Sequence, residues 1–410
     1  MIATVSFEED LTHSFHDLRT TLRGVMDSVG VDATAPGELA RQLGLNRNLT
    51  WKLAKFIGTT DLFAALQHLP GDEGIEIATA AMKRVGAPDR VLDRFAKARA
   101  RLDEVIRVHA GDRATMELIL DSMGGAGSGD RLEQSRKLAF RGNSGLWGLQ
   151  ARVRTTTTFI APSRTDPELL DLAIVGGVVD FRRLRPGIRW PLFRPRQYQN
   201  DGTPIVLGPN EEAIDPASND PSSPMLIHEF CSDNLPEIRA VKGRMGVDYE
   251  MGDGPVGNLG AFTCYFGRIV RRGPCRYHTS DEPYVDLLSH VTMPVETMIF
   301  DLIVHQELAY LMKPRVMLLA STDGVGPGNA EQSIPLEARP TELSGRPPLL
   351  GTPLVPRYDE LTAMVFRRGG WNPRDFRALR IEIKYPPMHA VTVLRGELPK
   401  APVPGAVHRH

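Results

Sequence analysis

The stretch from Pro36 to Ile57 reads PGELARQLGLNRNLTWKLAKFI and contains two short amphipathic patterns joined by a glycine. Leu39, Ala40 and Leu43 are three and four residues apart, so a helix would place them on one face. Gly44 follows directly and can adopt the left-handed conformation that ends a helix. The first half of the stretch therefore predicts a short helix that stops at this glycine.

A second helix is predicted immediately after the turn. Asn46 is a favourable N-cap residue, because its side chain can accept a hydrogen bond from a free backbone N–H of the first turn. The helix that follows would turn Leu49, Leu53 and Phe56 inward. The opposite face would carry polar, basic and aromatic side chains, namely Arg47, Asn48, Trp51 and Lys55, with Lys52 at its edge.

Residues 39–45, LARQLGL, resemble the first helix and turn of bacterial helix-turn-helix transcription regulators. The small Ala40 and the turn Gly44 have the spacing of four that is typical of that family. One position departs from the pattern, since Thr50 stands six residues after the glycine, where the family usually has an aliphatic residue. The resemblance covers about twenty residues. It implies a DNA-binding domain whose second helix enters the major groove.

The outer face of the second predicted helix has the chemistry that DNA binding requires. Arginine can pair with guanine and asparagine with adenine, both in bidentate fashion, and lysine suits phosphates. The alternative is that Trp51 packs against a neighbouring helix and that the basic side chains are only solvated. The candidate DNA-binding residues are Arg47, Asn48, Trp51, Lys52 and Lys55.

The chain of 410 residues is long enough for two or three domains, and its composition is that of a globular protein. A formal net charge of −1 gives no global field that would attract nucleic acid or a membrane. No apolar run approaches the roughly 20 residues that a membrane span needs, and the acidic N-terminus does not resemble a signal peptide. We therefore expect a cytoplasmic protein.

The sequence predicts no catalytic residue, cofactor site or metal site. Gly252-x-Gly254-x-x-Gly257 has dinucleotide-binding spacing, but Pro255 lies inside it and a strand is predicted to follow, which favours a turn. The cysteines lack the paired spacing of a zinc site and are too few for a disulfide framework. These cysteines are Cys231, Cys264 and Cys275.

Composition divides the chain into two parts. Residues 1–123 read as an all-α domain that contains the helix-turn-helix at 36–57. Residues 124–130 are rich in glycine and serine and are predicted to be a linker. Residues 131–410 read as a β-rich α+β domain for ligand sensing or oligomerisation. The expected architecture is therefore multidomain.

The second part contains several apolar segments separated by Pro/Gly turns. Leu149–Ile160, Ala261–Val270 and Ala390–Leu394 alternate or carry β-branched and aromatic residues, which predicts strands. Glu168–Gly176 and Pro294–Tyr310 are predicted to be helical. Together these segments indicate a sizeable sheet with some helix.

A basic cluster stands out in the second part, where residues 131–200 contain thirteen basic and five acidic side chains. The aromatic residues that lie between its arginines would suit stacking on bases or on a nucleotide. The acidic stretch that follows, 211–253, could instead neutralise it within the fold or across a dimer. The cluster comprises Arg182, Arg183, Arg185, Arg189, Arg194 and Arg196, with Trp190, Phe193 and Tyr198 among them.

The leading hypothesis from the sequence is a DNA-binding transcription regulator. Its partners would be DNA and a second copy of the chain, because two-fold symmetry lets two reading helices meet two half-sites. Its effector is not identified by the sequence. Two alternatives remain open, namely an enzyme with its site in the β-rich part, and a structural or assembly protein.

Overall fold

The computed structural model describes residues 6–66, 68–122, 128–193, 197–198, 204–205, 210–218, 225–243, 246–278, 283–320, 333–334 and 338–401. The chain forms two compact units, Met1–Gln134 and Ser135–His410, which are described separately below. Helices and a large mixed sheet together make the fold α+β, as the sequence predicts.

The first unit is helical throughout its described residues. Helix α1 begins with a capping box, in which the Ser6 hydroxyl accepts a hydrogen bond from the Glu9 backbone N–H at 3.3 Å. Phe15 of α1 meets Phe56 of α3 edge-to-face, with ring centroids 5.2 Å apart, inside a single apolar core. The helices are α1 Phe7–Ser28, α2 Pro36–Leu43, α3 Arg47–Gly58, α4 Leu62–Leu66, α5 Asp72–Arg84, α6 Asp89–His109 and α7 Arg113–Ser122.

Helix α8, Ser128–Trp147, was not predicted. Residues 124–127 of the predicted linker lie outside the described residues, whereas residues 128–130 form the first turn of α8. The two units divide within this helix, between Gln134 and Ser135.

The second unit is built on a seven-stranded sheet in the order β13-β14-β11-β1-β2-β9-β6. Strands β1 and β11 are parallel, and the other neighbours are antiparallel. The strands are β1 Leu149–Pro162, β2 Leu170–Arg183, β3 Trp190–Phe193, β4 Gln197–Tyr198, β5 Pro204–Ile205, β6 Glu211–Ala213, β7 Ile238–Gly243, β8 Gly246–Met251, β9 Phe262–Val270, β10 Tyr284–Val291, β11 Val295–His305, β12 Arg315–Ala320, β13 Thr341–Leu343, β14 Phe376–Lys384 and β15 Ala390–Glu397.

Both faces of the large sheet are covered. Helix α9, Tyr358–Gly369, packs its apolar side on one face, where Phe366 meets Phe159 of β1. Two three-stranded sheets, β10-β15-β12 and β3-β8-β7, pack on the other face around residues such as Phe300. The central strands are therefore buried from both sides.

This burial explains two wrong predictions. Glu168–Gly176 and Pro294–Tyr310 were predicted to be helical, but they contribute to the central strands β2 and β11. A strand that is covered on both faces has no polar side, so it reads as a continuous apolar run that periodicity cannot distinguish from a buried helix. The strands predicted at Leu149–Ile160, Ala261–Val270 and Ala390–Leu394 are confirmed, because they retain alternation or aromatic and β-branched character.

Candidate functional site: the outer face of helix α3

Helix α3 is held at its N-terminus by local hydrogen bonds. Gly44 ends α2 in the left-handed conformation, with φ 62° and ψ 32°, as its position predicts. The Asn46 side chain caps α3 by accepting a hydrogen bond from the Leu49 backbone N–H at 2.8 Å. Arg84 of α5 donates to the Leu43 carbonyl at 3.0 Å, which satisfies an end group of α2. The α2–α3 turn is therefore fixed by the conformation of Gly44 and by two side-chain hydrogen bonds.

The inner face of α3 packs into the core of the first unit. Leu53 and Phe56 are fully buried, as predicted, and Leu49 is nearly so. Thr50, the position that departs from the family pattern, is also fully buried. Its hydroxyl lies 3.1 Å from the Arg47 carbonyl oxygen and donates within the helix, so the polar group is satisfied. Threonine therefore serves as a core residue here, and the helix keeps the predicted orientation.

The outer face of α3 carries all five candidate residues, which we call the α3 surface. Arg47, Asn48, Trp51 and Lys55 are exposed, and Lys52 is half-buried at the edge. The structure thus brings together on one helix face the side chains that the sequence predicted there.

The cations of the α3 surface have no carboxylate partner among the described residues. The ion pairs of the first unit involve other basic side chains. Arg41, for example, pairs with Glu38 on α2, and Lys83 pairs with Asp89. Arg47, Lys52 and Lys55 therefore present positive charge that the described part of the unit does not neutralise.

Sequence reasoning missed His68, which lies in the segment between α4 and α5 and joins the α3 surface. Its ring meets Trp51 edge-to-face, with centroids 5.1 Å apart and planes at 81°. Burial lowers the pKa of His68, and the nearby charges of Lys55 and Lys52 lower it further. No pattern in the sequence indicates this contact, because His68 lies outside the patterns of both α2 and α3.

Trp51 is 44% exposed despite its contact with His68. The indole is thus partly covered, and a little under half of the residue's surface stays open to solvent. Its position leaves an aromatic surface open beside Arg47, Lys52 and Lys55.

The basic cluster at 182–196 does not form a single exposed surface. Arg183 is buried, and its Nη2 donates to the Gly252 carbonyl at 2.5 Å. Trp190 packs edge-to-face on Trp147 of α8, with ring centroids 5.4 Å apart. Arg194 and Arg196 lie outside the described residues. The described members of the cluster thus include interior packing residues.

The acidic stretch that follows pairs with other cations. Glu211 lies 3.3 Å from Arg268, and Glu212 lies 2.9 Å from Arg271. Arg268 belongs to β9, and Arg271 directly follows that strand. These two glutamates therefore pair with arginines outside the basic cluster, and they do not provide the mutual neutralisation of the two stretches that the sequence suggested.

A buried polar network crosses the large sheet next to α9. Asp301 of β11 is fully buried and accepts from Arg380 of β14 through both oxygens, at 2.8 and 2.7 Å. The Tyr358 hydroxyl donates to the same carboxylate at 2.8 Å and lies 2.6 Å from the Thr157 hydroxyl. Burial raises the pKa of Tyr358 well above its ordinary value. The phenol therefore stays protonated, and the network binds β1, β11, β14 and α9 together.

Cys231 and Cys264 lack the features of catalytic nucleophiles. Cys264 is fully buried, and burial raises the pKa of its thiol strongly. Burial also raises the pKa of Cys231, and Cys275 is exposed. A thiol with a raised pKa is protonated at neutral pH and is a poor nucleophile. Within the described residues, no cluster of three or more His, Cys, Asp or Glu side chains could hold a metal ion.

The comparisons with known proteins leave the family open. No protein-family model matches the chain, and no curated protein matches it. One solved structure, described as a "putative protease" from Parabacteroides distasonis, is similar over 62% of this chain and 41% of its own, with 8% identity and a TM-score of 0.27. At that TM-score the likeness carries no argument. Across the described residues, no helix has the length and apolar character that a membrane crossing requires.

Proposed function

We propose that the protein is a DNA-binding transcription regulator and that α3 is its reading helix. The observation that carries this proposal is the α3 surface: unneutralised cations, an exposed amide and an open indole share one face of a firmly capped helix. A helix of this kind, preceded by a short helix and a tight glycine turn, has the geometry of a major-groove reader.

Each side chain of the α3 surface has a distinct proposed role. Arg47 and Asn48 lie in the first turn, from which reading helices contact base edges, and their side chains suit guanine and adenine respectively. Lys55 lies two turns further along and suits a phosphate. Lys52 is half-buried, so its stem packs on the protein while its ammonium group reaches solvent.

The proposal includes a homodimer, because a single reading helix covers only a few base pairs. Two copies related by two-fold symmetry would place two α3 helices on half-sites about one turn of DNA apart. The second unit would supply the sensing or oligomerisation surface. Light scattering with and without DNA tests this part, and a monomer under both conditions contradicts it.

The decisive experiment selects genomic fragments with the full-length protein at moderate salt and then measures binding to the preferred site. We expect Arg47→Ala to cost about 1–3 kcal/mol of binding free energy on that site and to relax its specificity. Lys55→Ala should weaken binding to all sequences and reduce the salt slope by about one.

Lys83→Ala is the matched control. Lys83 is an exposed lysine of the same unit, but it pairs with Asp89 and lies outside the α3 surface. We expect its affinity and salt slope to equal those of the unsubstituted protein. If Arg47→Ala and Lys55→Ala behave like this control, α3 does not read DNA and the proposal fails.

A further inference from the structure

Arg154 lies near the middle of β1, in the centre of the seven-stranded sheet. It pairs with Val178 of β2 on one side and with Met298 of β11 on the other. Thr156, the next residue on the same face, bonds the Ser289 hydroxyl of β10 at 2.8 Å, so this face points toward the two small sheets. Arg154 and Thr156 are exceptions to the burial of the central strands, since both are only half-buried and part of each residue reaches solvent.

An aromatic stack fixes the guanidinium of Arg154. Its Cζ lies 5.3 Å from the ring centroid of Phe266 on β9. The Phe266 ring lies against Gly176 of β2, where any added Cβ would come within 2.2 Å of it, so only glycine fits. The ring of Phe193 lies 3.9 Å from that of Phe266 on the side of β3. Two strands and a small sheet thus set the position of one cation.

The charge of Arg154 has no counter-ion among the described residues. Of its nitrogens, only Nη1 has a hydrogen bond to a described residue, a long one of 3.3 Å to the Leu192 carbonyl. Its Nε is buried without an acceptor. Burial lowers the pKa of Arg154 to about 10, so the group is still positively charged at neutral pH. A partly desolvated cation without a partner is unfavourable unless an anion completes it.

Other buried arginines of this unit differ from Arg154 in this respect. Arg380 holds Asp301 in a bidentate pair, and Arg268 lies 3.3 Å from Glu211. Arg183 donates to the Gly252 carbonyl and has Asp253 close enough to favour its charged form. Arg154 alone among these four has no carboxylate near it in the described part of the chain.

We propose that Arg154 is the centre of a binding site for a small oxyanion, a carboxylate or a phosphate. Nη1 is already engaged and Nε is buried, so an anion would reach the guanidinium through Nη2. The hydroxyls of Thr156 and Ser289 lie on the same side of the sheet, and the Phe266 ring gives the site an apolar wall. This inference is independent of DNA binding.

The test measures thermal unfolding of the full-length protein while chloride is replaced by acetate or by inorganic phosphate at constant ionic strength. We expect the melting temperature to rise with at least one of these anions and to reach a plateau, as for binding to one site. Arg154→Met should weaken the apparent anion affinity by about tenfold or more, since it removes the positively charged guanidinium group. Arg154→Lys, which keeps the charge, should also weaken it.

Arg152→Met is the matched control. Arg152 lies on the same strand but already pairs with Asp180, at 2.5 Å, so its loss should leave the anion response unchanged. A second measurement needs no variant to fold: in protein labelled with ¹⁵Nε-arginine, one Nε–H signal should shift on addition of the stabilising anion. The proposal is overturned if neither anion gives a saturable response. It is also overturned if Arg154→Met and the unsubstituted protein respond equally.

Discussion

The cations of the α3 surface and the arginines packed on the large sheet of the second unit are placed in opposite ways. In the first unit, Arg47 and Lys55 are exposed on the outer face of a helix. In the second unit, Arg183 and Arg268 are buried, and the side chain of Arg380 is only 12% exposed. An amphipathic helix can keep an apolar face inward and a charged face outward. A sheet covered on both sides has little outward face at its centre, so a charge that is buried there is favourable only with a partner.

This difference has an energetic consequence. Exposed cations contribute little to stability and are free to bind something else. Buried cations are committed to their partners, because a charge left alone in the interior is strongly destabilising. Substitutions in the second unit should therefore change stability most, whereas those on the α3 surface should change binding.

The largest effect is expected from Asp301→Ala. This change leaves the guanidinium of Arg380 and the hydroxyl of Tyr358 without their shared acceptor, and we expect a loss of about 3–5 kcal/mol in the free energy of unfolding. Unfolding in guanidinium chloride, followed by tryptophan fluorescence in a Trp51→Phe background, measures this loss of stability. The remaining tryptophans, Trp147, Trp190 and Trp371, all lie in the second unit.

The double variant Asp301→Leu/Arg380→Met is the control for that substitution. It removes both charges together and should recover much of the lost stability. If Asp301→Ala alone stays within about 1 kcal/mol of the unsubstituted protein, the network is not what holds the second unit together, and its arginines are no more committed than those of the first.

The next largest effect is expected from Leu53→Ala. Leu53 is fully buried on the inner face of α3, and truncating it leaves a cavity that should cost about 2–5 kcal/mol of stability. Circular dichroism at 222 nm during thermal and urea unfolding reports the loss. Lys55→Ala, two residues away on the exposed side, should stay within about 0.5 kcal/mol. Similar costs for both substitutions would mean that α3 does not have one core face and one free face.

The contrast between the units also shows what the sequence can predict. Helix bounds in the first unit followed from apolar spacing and from capping residues such as Gly44 and Asn46, whose effect extends over only a few residues. The α3 surface was predictable for the same reason, because helical geometry alone places its members together. Such local patterns determine a helix and its two faces.

The features that the sequence did not reveal all depend on distant contacts. Arg154, Gly176 and Phe266 are brought together by the register of three strands, not by spacing along the chain. The same holds for Asp301 and Arg380, which lie opposite each other on neighbouring strands. His68 meets Trp51 only through the path of α4. The hydrophobic periodicity of a single sequence does not indicate which residues of distant segments will pair.

A smaller effect is expected from the pair of asparagines in the α2–α3 stretch. Asn46→Ala removes the cap of α3 and should cost about 1 kcal/mol of stability. Asn48→Ala changes an exposed residue that has no capping role, so stability should stay within about 0.5 kcal/mol while affinity for the preferred DNA site falls. Thermal unfolding and DNA titration of both variants separate the two roles. Equal loss of stability in both, with no loss of DNA affinity for Asn48→Ala, contradicts the assignment.

The smallest effect is a pH dependence of DNA binding through His68, which rests on the proposed function. In the free protein, burial and the charges of Lys55 and Lys52 lower the pKa of His68. Arg113 of α7 adds another cation at the same segment, where it donates to the Leu69 and Pro70 carbonyls. DNA phosphates beside these lysines would offset their charge and raise the pKa of His68. The complex then binds more protons than the free protein, so affinity rises as the pH falls from neutral to below 6.5.

We expect the affinity for DNA to increase roughly three- to tenfold over this pH range, and His68→Gln should abolish the increase. DNA titrations at constant ionic strength between these pH values measure it. An unchanged pH slope in His68→Gln would show that another group takes up the proton, whereas no DNA binding at any pH would count against the α3 reader itself.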